Sequence, residues 1–476
     1  MDSFVLELTS SSQLRMPRNL SLDEQYSQAC KELAQPENPY IAHVLREVKQ
    51  DDDALAQKIT IKIAGNNRLV PVQKVTDADF QIIAVIFTNN AFLTGLDLRY
   101  NLLTDAGAVH IAAFLQDNHS LLYLNLMFND IGTIGAEFIA KALHRNETLL
   151  HLRMTGNKID NKGGMYFAAM IQINNTIQKL DFADCDLGTQ SLIALATVLN
   201  HNESIKAINL NRPILYSEEE ETTVHTALML KANRTLVELH LCKHEMKNFG
   251  VERLCEALYG NITLRYLDLS CNKITRDGVR FLGEMLKQNN TLEILDLNFN
   301  RIEDDGAFYL SEALTTHNRT LQALAVTNDS ITGKGLVALA EAMKTNPVLS
   351  YIYIWGNKFD EATCVVGLVS PPLCFLLWRK QSWEHPLPLP CRCGSRSVLR
   401  PPACCSEQAQ HCCTPRPALV AAASELVWKE SRNFVSLHPN LCHSPACPSH
   451  VSVALGEVIR TPQPTALRIL LPVAAY

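Results

Sequence analysis

The stretch LYLNLMFNDIG, residues 122–132, decides the fold. Leu124 and Leu126 alternate with outward residues, as in a short strand with one buried side, and Asn129 stands where a strand would simply turn. The same phrase returns at a fixed distance. Leu121, Leu124, Leu126 and Asn129 are followed by Leu149, Leu152, Met154 and Asn157, then by Ile177, Leu180, Phe182 and Cys185, a step of 28 residues each time. Later copies end at Pro213, His244, Asn272, Asn300, Asp329 and Asn357. Upstream, Leu93, Leu96, Leu98 and Asn101 form a clear copy, and ITIKIAGN, ending at Asn66, a degenerate one.

Each copy also explains its second half. In GAEFIAKALHRN, Phe138, Ile139, Ala142 and Leu143 fall on one helical face, so the unit is a strand, a turn and a helix. No unit buries its apolar side alone, and neighbours must stack, with parallel strands on a concave wall and helices on the convex one. Where the chain leaves the strand, backbone groups lose their ladder partners, and each one left bare costs about 1–3 kcal/mol. An asparagine amide both donates and accepts there, which predicts a structural ladder at Asn101, Asn129, Asn157, Asn272, Asn300 and Asn357. It breaks at Cys185, Pro213 and His244, so the middle of the arc is expected to be less regular.

The 476 residues carry a net charge of -6 and are 47% hydrophobic, compatible with burial along a stack. The N-terminus begins MDSFVLEL, without a basic region leading into an apolar core, so no secretory signal is read and the protein is expected to be intracellular. No apolar run reaches membrane-spanning length. Three organisational parts are expected: residues 1–57 as an N-terminal segment and helical cap, 58–363 as the repeat array, and 364–476 as a divergent, disordered tail rich in proline and cysteine. The tail offers no obvious helix to cover Ile352 and Ile354. Its cysteines, Cys404, Cys405, Cys412 and Cys413 among them, lack the spacing of a zinc module. The sequons at Asn146, Asn233 and Asn318 recur just after each helix, where asparagine suits a helix C-terminus.

Neither a phosphate loop nor a dinucleotide fingerprint, metalloprotease motif or nucleophile elbow occurs, so no enzyme, cofactor or metal is expected. The run Glu218–Glu221 reads as a helix start, with Ser217 and Glu220 as a capping box. An acidic balance argues against general nucleic-acid affinity. What remains is the concave wall. Tyr123, Arg153, Asp181, Tyr266, Asp268, Asp296, Tyr351, Tyr353 and Trp355 alternate outward from the strand leucines, and tyrosine, tryptophan and nearby acids suit a protein partner.

Taken together, the 28-residue unit, with LDLSCNKITRDGVRFLGEMLKQNNTLEILDLNFNRI as its best copy, resembles the ribonuclease-inhibitor-like class of leucine-rich repeats over about residues 58–363. The resemblance implies an α/β leucine-rich repeat solenoid, a horseshoe, and an intracellular binding module of cytoplasm and nucleus without a common enzymatic activity. A non-enzymatic scaffold is the first expectation. Stimulation of a small GTPase, as by Ran-activating relatives, is the alternative.

Overall fold

The computed structural model describes residues 20–48, 58–215, 220–358 and the backbone of Ile469–Leu470. Its strands are β1 (Ile59–Lys62), β2 (Leu93–Asp97), β3 (Tyr123–Asn125), β4 (His151–Arg153), β5 (Lys179–Asp181), β6 (Ala207–Asn209), β7 (Glu238–His240), β8 (Tyr266–Asp268), β9 (Ile294–Asp296), β10 (Ala323–Ala325) and β11 (Tyr351–Tyr353). After α1 (Leu22–Glu32) and α2 (Pro39–Glu47), one helix separates each strand from the next: α3 (Asp77–Phe87), α4 (Asp105–Asp117), α5 (Thr133–Leu143), α6 (Asp160–Ile171), α7 (Thr189–Leu199), α8 (Glu221–Ala232), α9 (Asn248–Leu258), α10 (Arg276–Gln288), α11 (Glu303–Thr316) and α12 (Gly333–Thr345). Each strand pairs in parallel with its sequence neighbours, as a strand–helix–strand unit dictates. The fold is therefore the leucine-rich repeat solenoid.

Register follows the repeat phase. Leu96, Leu124, Leu152, Leu180 and Ile208 lie side by side, then Leu239, Leu267, Leu295, Leu324 and Ile352, and all are buried. Burying each contributes about 1.5–3 kcal/mol. The expected irregular middle does not reach the sheet: β6 pairs with β5 and β7 in unbroken register. The longer step from Pro213 to His244 is absorbed outside the strands. Among the described residues the register slips between Ile59 and Thr60, at the first strand. Phe138 is corrected as a core residue. It is exposed, while Ile139, Ala142 and Leu143 are buried, because it lies one step round the helix from the packed stripe.

The edge of β11 is not bare, contrary to expectation: β12 (Ile469–Leu470) pairs in parallel with Ile352 and Tyr353. The rest of the tail, with its cysteines and its expected disorder, lies outside the described residues. At the other end α2 is tied to the first repeat, where Tyr40 donates its hydroxyl to the Ala64 carbonyl at 2.9 Å and the Asn38 amide reaches Asp79 at 3.4 Å.

Two ladders of side chains hold the repeats together. At the strand ends, Asn129 donates to the carbonyls of Leu126 and, one repeat back, Leu98, both at 3.0 Å, while its oxygen accepts the Leu103 N–H. Asn101, Asn157, Asn272, Asn300 and Asn357 make the same kind of bond to the preceding repeat. Other groups stand in elsewhere. Cys185 donates its thiol to the Met154 carbonyl at 3.1 Å, and His244 places Nε2 2.9 Å from the Leu210 carbonyl. Burial pulls the His244 pKa down to about 4, so it sits there as a neutral donor. Asp329 accepts the Asn300 N–H and is wholly buried, and desolvation raises its pKa well above the usual carboxylate range.

The second ladder runs past the helix ends without a substitution: Asn118, Asn146, Asn174, Asn202, Asn233, Asn261, Asn289, Asn318 and Asn346. Each amide donates to a carbonyl of the preceding helix at 2.7–3.0 Å. The same side chain's oxygen accepts backbone N–H groups two and three residues on, as Asn289 does from Thr291 and Leu292. This spends the buried amides of the sequons Asn146, Asn233 and Asn318, so their recurrence has a structural cause.

Helix starts are also capped between repeats. Asp105 at the start of α4 accepts from Gly132 and Gly135, and Asp304 of α11 accepts from Thr332 and Gly335. Glu220, the residue before α8, accepts from Lys247 and Gly250 at the start of α9. The expected capping box with Ser217 lies outside the described residues. A carboxylate at the next helix's N-terminus satisfies orphan N–H groups and meets the positive end of the dipole.

Candidate functional site

The parallel register turns the outward strand positions into rows across the concave wall. One row runs Tyr123, His151, Lys179, and the next Asn125, Arg153, Asp181. A third feature is set by backbone geometry. The residue before each ladder position has a positive φ, at Tyr100, Phe128, Gly156, Asp184, Arg212, Lys243, Cys271, Phe299, Asn328 and Gly356. For a side chain other than glycine this conformation costs about 1–2 kcal/mol. It aligns neighbouring side chains, and Tyr100 and Phe128 stack with ring centroids 4.7 Å apart and planes 9° from parallel. Gly156 ends the stack: a Cβ there would stand 2.4 Å from the Phe128 ring.

On the first half of the wall Tyr123, His151, Arg153, Lys179 and Asp181 are all half-buried. Arg153 reaches Asp181 through Nε and a terminal nitrogen, each at 3.1 Å. The Thr155 hydroxyl donates to the other oxygen of that carboxylate. Burial, with Lys179 adding to it, pulls the His151 pKa down to about 4 and leaves the ring neutral. The middle of the wall is ionic. His240 lies 2.7 Å from Glu238 and 3.5 Å from Asp268. Burial opposes its charge, but the bonds to Asp268 and Glu238 outweigh that and push its pKa up to about 9.

The structure changes what the outward acids do. Asp181, Asp268 and Asp296 each accept the backbone N–H two residues on, from Ala183, Ser270 and Asn298, as do Asp97, Asn125 and Asn209. These are Asx turns that end the strands. Alternation alone gives a side chain's direction and misses this bond, because the strand ends within three residues and bends its own N–H back. Asp268 also accepts the Ser270 hydroxyl. Tyr266, Asp268 and Asp296 are buried, Tyr266 with its ring 4.7 Å from that of His240. At the far end Tyr351, Tyr353 and Trp355 are half-buried, the two tyrosine rings 6.5 Å apart and nearly parallel.

Among the described residues no group of three or more His, Cys, Asp or Glu is placed to hold a metal ion, and no helix is long and apolar enough to cross a membrane. A cleft of about 490 Å³ beside β6 is lined by Arg212, Lys243, Lys273, Asp184 and Glu245. The pairs Arg212–Asp184 at 3.3 Å and Lys273–Glu245 at 2.5 Å tie its opposite charges together.

Comparison with known proteins gives the same picture. The family described as Leucine Rich repeat matches residues 89–112, 117–140, 145–168, 174–196, 260–283, 288–311 and 317–340. The break between residues 196 and 260 spans β6 and β7, where Pro213 and His244 stand. A mouse protein named leucine-rich repeat-containing protein 34 is 62% identical over 345 residues, 72% of this chain and 83% of the relative. Its human namesake is 61% identical over 72% of this chain and 74% of its own length. The unmatched length accommodates the divergent tail after residue 363. A Listeria monocytogenes internalin structure is 16% identical over 68% of this chain and 89% of its own, with a TM-score of 0.36.

Proposed function

Because this chain belongs to the leucine-rich repeat proteins, in the family of leucine-rich repeat-containing protein 34, we propose that it is a scaffold that binds a partner protein on the concave wall over β3–β5. The observation that carries this reading is the half-buried group of Tyr123, His151, Arg153 and Lys179, flanked by the Tyr100–Phe128 stack. Preordered rings beside fixed charges lose little conformational entropy on binding and suit the centre of an interface. The solenoid holds them on a wall whose backbone groups are already paired, so recognition falls to the side chains.

The test is capture of partners from tissue extract by the full chain. Tyr123→Ala with Phe128→Ala is expected to lose specific partners, and convex-face Phe138→Ala to keep them. Retention of every partner by the wall variant would move the site elsewhere.

A further inference from the structure

The ion pairs of the first half of the concave wall share an asymmetry. The Arg99 side chain is 27% exposed and its partner Asp97 5%. For Arg153 and Asp181 the values are 39% and 14%, and for Lys179 and Glu238 29% and 16%. Acid lies below and base above in each. Pairs on the helices are mixed: Lys141 and Glu137 are 61% and 31% exposed, Arg276 and Glu303 51% and 50%, and Lys287 and Glu312 18% and 58%.

The cause is local. Asp97 and Asp181 are held down by the Asx bond to the N–H two residues on, Glu238 is held by His240, and the longer cations lie over them. Although each pair is neutral, an approaching ligand meets guanidinium and ammonium groups first. In the second half, the strand positions from Tyr266 to Tyr353 carry Asp268 and Asp296 and no lysine or arginine.

Resting on the reading of this wall as the docking site, we propose that it receives an acidic segment of the partner protein. The segment's carboxylates meet Arg99, Arg153 and Lys179, and its apolar side chains lie along Tyr100 and Phe128. Guanidinium groups also accept phosphates in two-point contact, but the chain's net charge of -6 repels a long polyanion. A short acidic peptide presenting apolar groups is the better fit.

The probe is a short fluorescent glutamate–tyrosine copolymer of peptide length, titrated against the full chain by anisotropy, with a lysine–tyrosine copolymer of the same length and a short oligothymidylate as comparisons. Expected is binding of the glutamate copolymer that weakens with salt. It should fall about tenfold in Arg99→Gln/Arg153→Gln/Lys179→Gln, stay within about twofold in Arg276→Gln, and recover partly with Arg153→Lys in place of Arg153→Gln. Unchanged binding by the triple variant, stronger binding of the lysine copolymer, or tighter binding of oligothymidylate would each overturn the acidic-segment proposal. A folding defect is separated out by the triple variant's urea midpoint and by the Arg153→Lys arm. If the triple variant keeps the cellular partners that Tyr123→Ala/Phe128→Ala loses, the docking wall stands and only the acidic class falls.

Discussion

The strand-end and helix-end ladders do similar work on opposite sides of the repeat, yet one accepts substitutes and the other does not. At strand ends the position is held by asparagine, cysteine, proline, histidine or aspartate; past the helices it is asparagine nine times running. The difference lies in where the accepted N–H groups sit: at the helix end in the asparagine's own turn, at the strand end in the preceding repeat. The helix-end amide donates to the preceding helix while its oxygen accepts two N–H groups from its own turn. A donor alone cannot replace it. At the strand end the donation to the neighbouring carbonyl is separable, and a thiol or neutral imidazole supplies it.

Variants can break or sharpen this contrast. The largest effect is expected from Asn289→Ala, which leaves two carbonyls and two N–H groups without their side-chain partner; the loss should be about 4 kcal/mol by urea denaturation of the full chain. A loss under about 1 kcal/mol would erase the contrast. Asn129→Ala, which removes the partner of the Leu98 and Leu126 carbonyls and of the Leu103 N–H, should cost about 3 kcal/mol on the same measurement.

Asp329→Asn should act in the opposite direction. The folded pKa of Asp329 is raised by burial and by the nearby Asp296, so its contribution is complete below the ordinary carboxylate range and is lost as pH rises through the folded value. The asparagine variant should gain about 1–2 kcal/mol at neutral pH and flatten the pH dependence of the urea midpoint. An unchanged pH profile would mean that Asp329 is ionised in the native ladder. The smallest effect is expected for His244→Asn, within about 1 kcal/mol of the parent, because the imidazole already makes the donation.

Much of the fold was legible because a 28-residue step returns each residue to the same environment, so one reading of Leu124 or Ile139 serves every repeat. The exceptions concern bonds that cross between repeats or turn back within one. The bonds from Glu220 to the start of α9 left no trace in the sequence, since Lys247 and Gly250 lie a whole repeat away along the chain. The burial of Asp268 and Asp296 and their bonds to the N–H two residues on were not legible, since alternation reports direction alone. Phe138 was misplaced by a single step around the helix. The Tyr100–Phe128 stack left no signal in apolar pattern; a positive φ recurring before each ladder position was the missing geometric fact.

The unbroken helix-end ladder also bears on mechanics. Each joint is made of the same amide and the same carbonyl, so under tension from its ends the array has a series of nearly equal catches. A repeat that lets go releases about 100 Å of slack, at roughly 3.5 Å per extended residue, and leaves the next catch as it was. The molecule would lengthen in even strokes, with the one between Asn202 and Asn233 longer than its neighbours by three residues.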